Sequence, residues 1–229
     1  MPESLRQIPL FAQLAPAPLQ ALWEASVMRD FKAGEVILRE GQLPEGILYF
    51  LVEGGFQVSK LAPSGKEVIL RLITAAEAFG LAALFDDGPF PATLAATDAA
   101  RVLLLPASAF FEILQQDPAL TRRVLALLSG RVREAYERLF VMATTKARAR
   151  LAHLILTTSV KGGAEPDGEG GLRLNTPLTY ATLARMAGIT YEETARIMQE
   201  WAGFLDYRRG AIHVRDPERL KAMLGSDGL

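Results

Sequence analysis

The sequence predicts an α+β chain in two parts: a run of short antiparallel strands, then a helical half ending in a helix-turn-helix and a two-stranded wing. Three observations carry this. Glycines at 34, 41, 46, 54, 55, 65, 80 and 88 punctuate brief apolar runs across residues 30–105. After Pro106 the apolar period changes from strand-like to helical. From Leu178 to Trp201, two short amphipathic segments meet at Gly188. The 229 residues suit two modest domains, and a composition that is 50% apolar and 22% charged can bury a core.

Taken in order, residues 5–28 read as short helices with Pro9, Pro16 and Pro18 as punctuation and Leu10, Phe11, Leu14, Leu19, Leu22 and Trp23 as buried faces. Strands follow at 36–38, 47–52, 56–61, 68–73, 93–96 and 101–105, so residues 30–105 are expected to be all-β, an antiparallel sandwich or closed roll. Asp117-Pro118 opens a long helix, the Asp as N-cap and the Pro where a missing N–H costs nothing, with few breakers through about Thr144. Leu125, Leu128, Val132, Ala135, Leu139 and Met142, spaced 3, 4, 3, 4, 3, form a narrow stripe, and Leu120, Val124, Leu127, Tyr136 and Phe140 lie on an adjoining face. Packing within one chain and a symmetric homodimer both account for the stripe; the adjoining face already serves the β-domain, which leaves the stripe for a second copy. A helix over 149–159, an acidic loop over 162–171, and a strand starting at Leu172–Leu174 come next.

Composition excludes several chemistries. The absence of cysteine removes disulfides, thiolate nucleophiles and Cys-ligated metals, and suits a cytoplasmic location. The only histidines are His153 and His213, too few for a His-built metal site or the usual Ser/His/Asp arrangement. The acids Glu35, Glu40, Glu45, Glu53 and Asp86-Asp87 sit in turns without a His partner, so no enzyme is expected. Neither the N-terminal residues nor any apolar run suggests export or a membrane span. Charge is asymmetric: residues 1–145 hold 13 Lys/Arg against 16 Asp/Glu, and residues 146–229 hold 12 against 10. A mildly acidic front joined to a mildly basic back suits a regulatory module fused to a polyanion-binding one.

In the 178–201 segment, Leu183, Met186, Ala187, Ile197, Met198 and Trp201 are the buried faces, and Gly188 supplies the positive φ of the turn. Thr190 and Glu193 form a capping box, the hydroxyl accepting the Glu193 N–H and the carboxylate reaching back to the Thr190 N–H. Tyr191, Glu192, Ala195, Arg196 and Gln199 then point outward, the side that enters a major groove. Arg196 suits guanine O6 and N7, Glu192 suits cytosine N4–H, and Gln199 suits adenine or a phosphate. As plain structure, Glu192 and Arg196 are an i, i+4 surface ion pair. Residues 204–214 follow as two strands joined by a basic turn, with Arg208 and Arg209 placed for phosphate and His213 structural.

On these motifs the chain, from about Leu10 to Val214, resembles the Crp/Fnr family of bacterial transcription regulators. The resemblance implies an N-terminal β-roll of double-stranded β-helix or jelly-roll type with flanking helices over 1–116, a long dimerisation helix over 117–145 and a winged helix-turn-helix over 146–229. It implies double-stranded DNA and a homodimer as partners, with RNA polymerase added for an activator. The DNA-contacting set is then Thr179, Thr190, Tyr191, Glu192, Ala195, Arg196, Gln199, Arg208 and Arg209. The family's Ser/Thr-Arg-Glu-Thr-Val-x-Arg run stands here as Thr190-Tyr191-Glu192-Glu193-Thr194-Ala195-Arg196, with Tyr191 replacing the first Arg.

The effector site departs further. Cyclic-nucleotide-binding members carry a Glu after Phe-x-Gly, then Arg-Ser-Ala; here Leu81 follows Gly80, and Pro91 and Ala92 replace the Arg and Ser, with Thr93 after them. A cyclic phosphate buried without its Arg partner carries a large desolvation cost, which argues against cyclic AMP. With neither Cys nor His in the N-terminal region for an oxygen- or haem-sensing group, no cofactor is expected, and an apolar effector, a remodelled site or none remains. The pocket Gly80, Leu81, Phe90, Pro91, Ala92, Thr93 and Tyr136 is therefore read as degenerate, closed by Leu81, Phe90, Leu94 and Tyr136. The alternative reading is a ligand-binding or protein-interaction adaptor whose helix-turn-helix no longer meets DNA.

Overall fold

The computed structural model describes residues 3–74, 76–85 and 88–226. The chain divides into two compact units, Met1–Arg131 and Val132–Leu229. The first contains α1 (Glu3–Arg6), α2 (Pro16–Ala25), β1 (Val27–Phe31), β2 (Val36–Leu38), β3 (Ile47–Glu53), β4 (Phe56–Leu61), β5 (Glu67–Ile73), β6 (Glu77–Phe79), α3 (Leu81–Phe85), β7 (Thr93–Ala96), β8 (Ala100–Pro106) and α4 (Ala107–Gln116). It also holds the start of α5 (Pro118–Thr144). Two four-stranded antiparallel sheets form, in the orders β1-β8-β3-β6 and β2-β7-β4-β5.

The first sheet is covered on both faces, which explains its unbroken apolar runs. Successive residues of β3 point opposite ways: Leu48 and Phe50 join Phe11, Leu22, Phe110 and Val124 on the helical side, while Tyr49 and Leu51 join Phe56, Phe79 and Leu94 on the other. On β8, Leu103 and Leu105 take the helical side and Val102 the other. Truncating a fully buried aromatic such as Phe50 would cost about 3 to 5 kcal/mol.

The all-β region begins earlier than its pattern suggests. In β1 the first four residues are exposed and only Phe31 is buried, so no apolar alternation marks it; pairing of Val27 with Leu104 and Phe31 with Ala100 holds it in place. Three-residue β6 and five-residue α3 also interrupt the expected plan, too short for a periodic signal. Asp86 and Asp87 lie outside the described residues.

Helix α5 runs 27 residues, about 40 Å. Its start is as expected: the Leu120 N–H donates to Asp117 Oδ1 at 2.9 Å. Leu120 and Val124 are buried in the first unit's core, with Leu127 and Leu128 packed beside them. Leu128, a residue of the stripe, is thus partly buried against the β-domain's core. Tyr136 and Phe140, expected on the face toward the β-domain, are 69% and 62% exposed.

The second unit adds α6 (Ala147–Lys161), β9 (Ala164–Pro166), β10 (Leu172–Leu174), α7 (Tyr180–Ala187), α8 (Tyr191–Glu200), β11 (Leu205–Arg208), β12 (Ala211–Val214) and α9 (Pro217–Ser226). Its sheet runs β11-β12-β10-β9. Strand β9 replaces part of the expected loop, and α9, anchored by fully buried Leu220, was not anticipated. Near the end of α5, Arg138 Nη2 donates to Met186 O at 2.8 Å, tying the helix to the last turn of α7. Among the described residues, no helix is long and apolar enough to cross a membrane.

Candidate nucleic-acid interface

The turn between α7 and α8 is built as the spacing requires. Thr179 caps α7, its hydroxyl accepting the Thr182 N–H at 3.1 Å. Gly188 ends that helix in the left-handed region at φ +68°, where an L side chain is strained. Thr190 caps α8, accepting the Glu193 N–H at 3.1 Å. Behind the turn, Leu183, Ala187, Ile197, Met198 and Trp201 are buried.

Only half of the capping box forms. The Glu193 carboxylate is drawn forward to Arg196, with Oε1 at 3.8 Å from Nη2, a cation outcompeting a backbone N–H. The Glu192–Arg196 pair is likewise replaced. Arg196 Nη1 donates to Glu200 Oε1 at 2.9 Å, one turn on rather than one turn back. Glu200 also pairs with Arg148 of α6, so Glu193, Arg196, Glu200 and Arg148 form one ion chain. A carboxylate placed C-terminal to a cation on a helix is the weaker orientation, and the second cation compensates. The Arg196 side chain remains 58% exposed.

On the outward side, Tyr191, Glu192, Arg196 and Gln199 are exposed and Ala195 is half-buried. The hairpin β11–β12 turns at Arg209 and Gly210, with φ of 50° and 93°, as a two-residue turn with both residues left-handed. Arg208 and Arg209 are exposed there. A groove of about 480 Å³, lined by Tyr180, Ala195, Gln199, Leu205 and Tyr207, joins α8 to the hairpin, so helix and wing present one surface. Lys146 and Arg148, at the start of α6, line a second groove of about 490 Å³ with Arg196. Sequence reading missed these two cations because their nearness to α8 depends on how α6 packs.

The wing is braced from beneath. Asp167 Oδ1 accepts the N–H groups of Glu169 and Gly171, both at 2.8 Å, and His213 Nε2 donates to Asp167 Oδ2 at 2.7 Å. The His213 bond, then the backbone donors, hold the Asp167 carboxyl down at about 2. Asp206 lies 3.5 Å from His213 Nδ1 and 3.2 Å from Arg215 Nε. His213 is structural, as its pattern implied.

In the first unit, Leu81, Phe90, Ala92 and Leu94 are buried, whereas Pro91 is exposed. The Thr93 hydroxyl accepts the Glu40 N–H at 3.1 Å, and Phe90 exchanges backbone hydrogen bonds with Gly41 and Gln42. Tyr136, 69% exposed, fills no interior. One cluster escaped the sequence reading: the Glu77 carboxylate pairs with both Arg71 and Arg131, all three at least two-thirds buried. The acids weighed for catalysis are dispersed. Glu35 pairs with Arg29, Glu40 with Lys60 and Glu53 with Arg101, and Glu45 accepts from Gln42. Among the described residues, no three His, Cys, Asp or Glu side chains converge as a metal site.

Comparison with known proteins agrees with this geometry. Residues 28–117 match the cyclic nucleotide-binding domain and residues 149–223 the Crp-like helix-turn-helix domain. The transcriptional regulator SdrP of Thermus thermophilus is 31% identical over 202 residues, covering 87% of this chain and 95% of that one. A CRP-like cAMP-activated global transcriptional regulator of Mycobacterium tuberculosis is 25% identical over 223 residues, covering 96% and 98%. The crystal structure of TTHA1359, a CRP/FNR-family regulator from Thermus thermophilus, superposes with a TM-score of 0.70 at 28% identity, covering 88% of this chain and all of that one. The chain therefore belongs to the Crp/Fnr family of DNA-binding transcriptional regulators.

Proposed function

We propose that this regulator works in the cytoplasm as a homodimer, two copies of α8 entering successive major grooves of a roughly palindromic site about 34 Å apart. One observation carries the reading. The outward side of α8 is exposed and polar while its inward side is closed against α7 and Trp201, so every group able to read a base edge faces solvent. Arg196 reads guanine, Glu192 cytosine and Gln199 adenine; Thr179, Thr190, Arg208 and Arg209 hold the backbone. Leu125, Val132 and Leu139 are 59%, 52% and 65% exposed and Ala135 is exposed, which supports the dimer seam. Met142, half-buried and packed toward Gly188, closes the seam's end. At promoters where it activates, RNA polymerase is the further partner.

Cyclic AMP is not its effector in this reading. The positions aligned with the family's Glu and Ser are buried Leu81 and Ala92, the Thr93 hydroxyl is engaged, and the cations of the Arg71–Glu77–Arg131 cluster already share a carboxylate. Selection of bound sequences from random DNA, with no ligand added, tests the whole proposal. A recovered palindrome supports it; the absence of any enriched sequence refutes it. Saturable cyclic-AMP binding by isothermal titration would overturn the effector reading alone.

A further inference from the structure

The outward side of α8 carries two parallel rows, each spaced by one helical turn. Glu192, Arg196 and Glu200 form a charged row; Tyr191, Ala195 and Gln199 form a row that is apolar at its leading end. Tyr191 is the first residue of the helix and 54% exposed. It does not swing freely. Its ring meets that of Tyr180 edge-on, with centroids 6.0 Å apart and planes at 62°. Tyr180 in turn lies against Tyr207 at 4.2 Å and 30°. Three tyrosines thus run from the first strand of the wing, across the start of α7, to the start of α8.

We infer that this tyrosine ladder makes Tyr191 a specificity residue, its ring packing against a thymine C5-methyl in the major groove at one base pair of each half-site. The inference rests on the DNA-binding reading above. The chemistry follows from what the ring lacks and keeps. An arginine at this position offers a fork of donors matched to guanine; a tyrosine offers a single hydroxyl at the tip of an otherwise C–H ring. The thymine methyl is the apolar feature of the major groove, so it is the group that gains from such a surface. Preorganisation adds to this, because a ring packed edge-on against Tyr180, itself held by Tyr207, loses little rotamer freedom on contact. Ala195, one turn along the same row, is small enough to leave the path to the base open.

The test uses the full-length protein and the DNA site recovered by selection. Deoxyuridine placed for thymine at the position read by Tyr191 removes one methyl group per half-site. The expected result is an affinity loss of about fourfold per half-site for the wild type, the worth of one buried methyl, and none for Tyr191→Ala. Tyr191→Phe keeps the discrimination, since the ring carries it. Tyr180→Leu, which keeps the packing apolar but removes the ring that holds Tyr191, reduces the discrimination while leaving the response to substitutions at the Arg196 position intact. Equal wild-type affinity for thymine and deoxyuridine overturns the inference, as does a selected palindrome without thymine at that position. A Tyr191→Phe loss as large as that of Tyr191→Ala also overturns it, by placing the hydroxyl on a phosphate. Those outcomes leave DNA reading by Arg196 standing. A selection that enriches no sequence removes both.

Discussion

Arg196 is held by carboxylates in the free protein, so on the proposed reading DNA displaces them before the guanidinium reaches a base. Glu200→Gln isolates that cost. The Arg196–Glu200 contact is a 2.9 Å pair between side chains 58% and 35% exposed, one helical turn apart. Pairs of this kind are worth about 0.3 to 0.5 kcal/mol, so releasing Arg196 raises affinity about twofold per half-site and about fourfold for two. Losing the proposed guanine contact costs more: Arg196→Ala is expected to weaken binding by about 1 to 3 kcal/mol per half-site and to flatten preference at one base pair. Fluorescence anisotropy at fixed salt measures both changes, with salt held constant because phosphate contacts make affinity depend steeply on it. The double variant decides the mechanism. The Glu200→Gln gain should shrink in the Arg196→Ala background, keeping only the part that acts through Arg148 and general charge. A gain that survives undiminished refutes the idea that Glu200 competes with DNA for Arg196.

Further expectations follow from the remaining contacts. Gly188→Ala places a Cβ at φ +68° and 2.8 Å from Met142 Cε, and should destabilise the second unit by about 1 to 2 kcal/mol in urea titration. Glu77→Gln leaves Arg71 and Arg131 facing each other without their shared carboxylate; a loss of about 1 to 3 kcal/mol is expected, between the values for exposed and fully buried pairs, read from the first unit's unfolding. Asp167 titrates near 3.8 when unfolded and at about 2 when folded, so its contribution is present above about 4 and lost as pH falls toward 2. The Tm difference between wild type and Asp167→Asn should accordingly vanish over that interval.

What was legible in the sequence was whatever depends on local spacing. Asp117 before Pro118, Gly188 between two amphipathic segments, and Thr190 as a cap each fix a backbone event within four residues, and each is found in place. The roll was readable because Gly-separated runs on β3 and β8 bury both faces. Strand β1 was not readable, since it owes its place to hydrogen bonds with β8 rather than to its own apolar pattern. In the site, the exposed residues of α8 followed from helical periodicity, but the partner of Arg196 did not. Glu192 and Glu200 are both one turn away from it, and the choice is settled by Arg148, brought in by the packing of α6 and invisible to local spacing. The same holds for Glu77, whose partners lie 6 and 54 residues away.

On the proposed reading, two copies of α8 meet half-sites on the same side of the duplex, one turn apart. Inserting five base pairs at the centre of the selected site turns one half-site by about half a helical turn, to the opposite side. Affinity is then expected to fall to that of an isolated half-site, and to stay there when ten base pairs are inserted, since the half-sites then lie about 68 Å apart, twice the spacing of the two helices. Affinity unaffected by the five-base-pair insertion would contradict that reading.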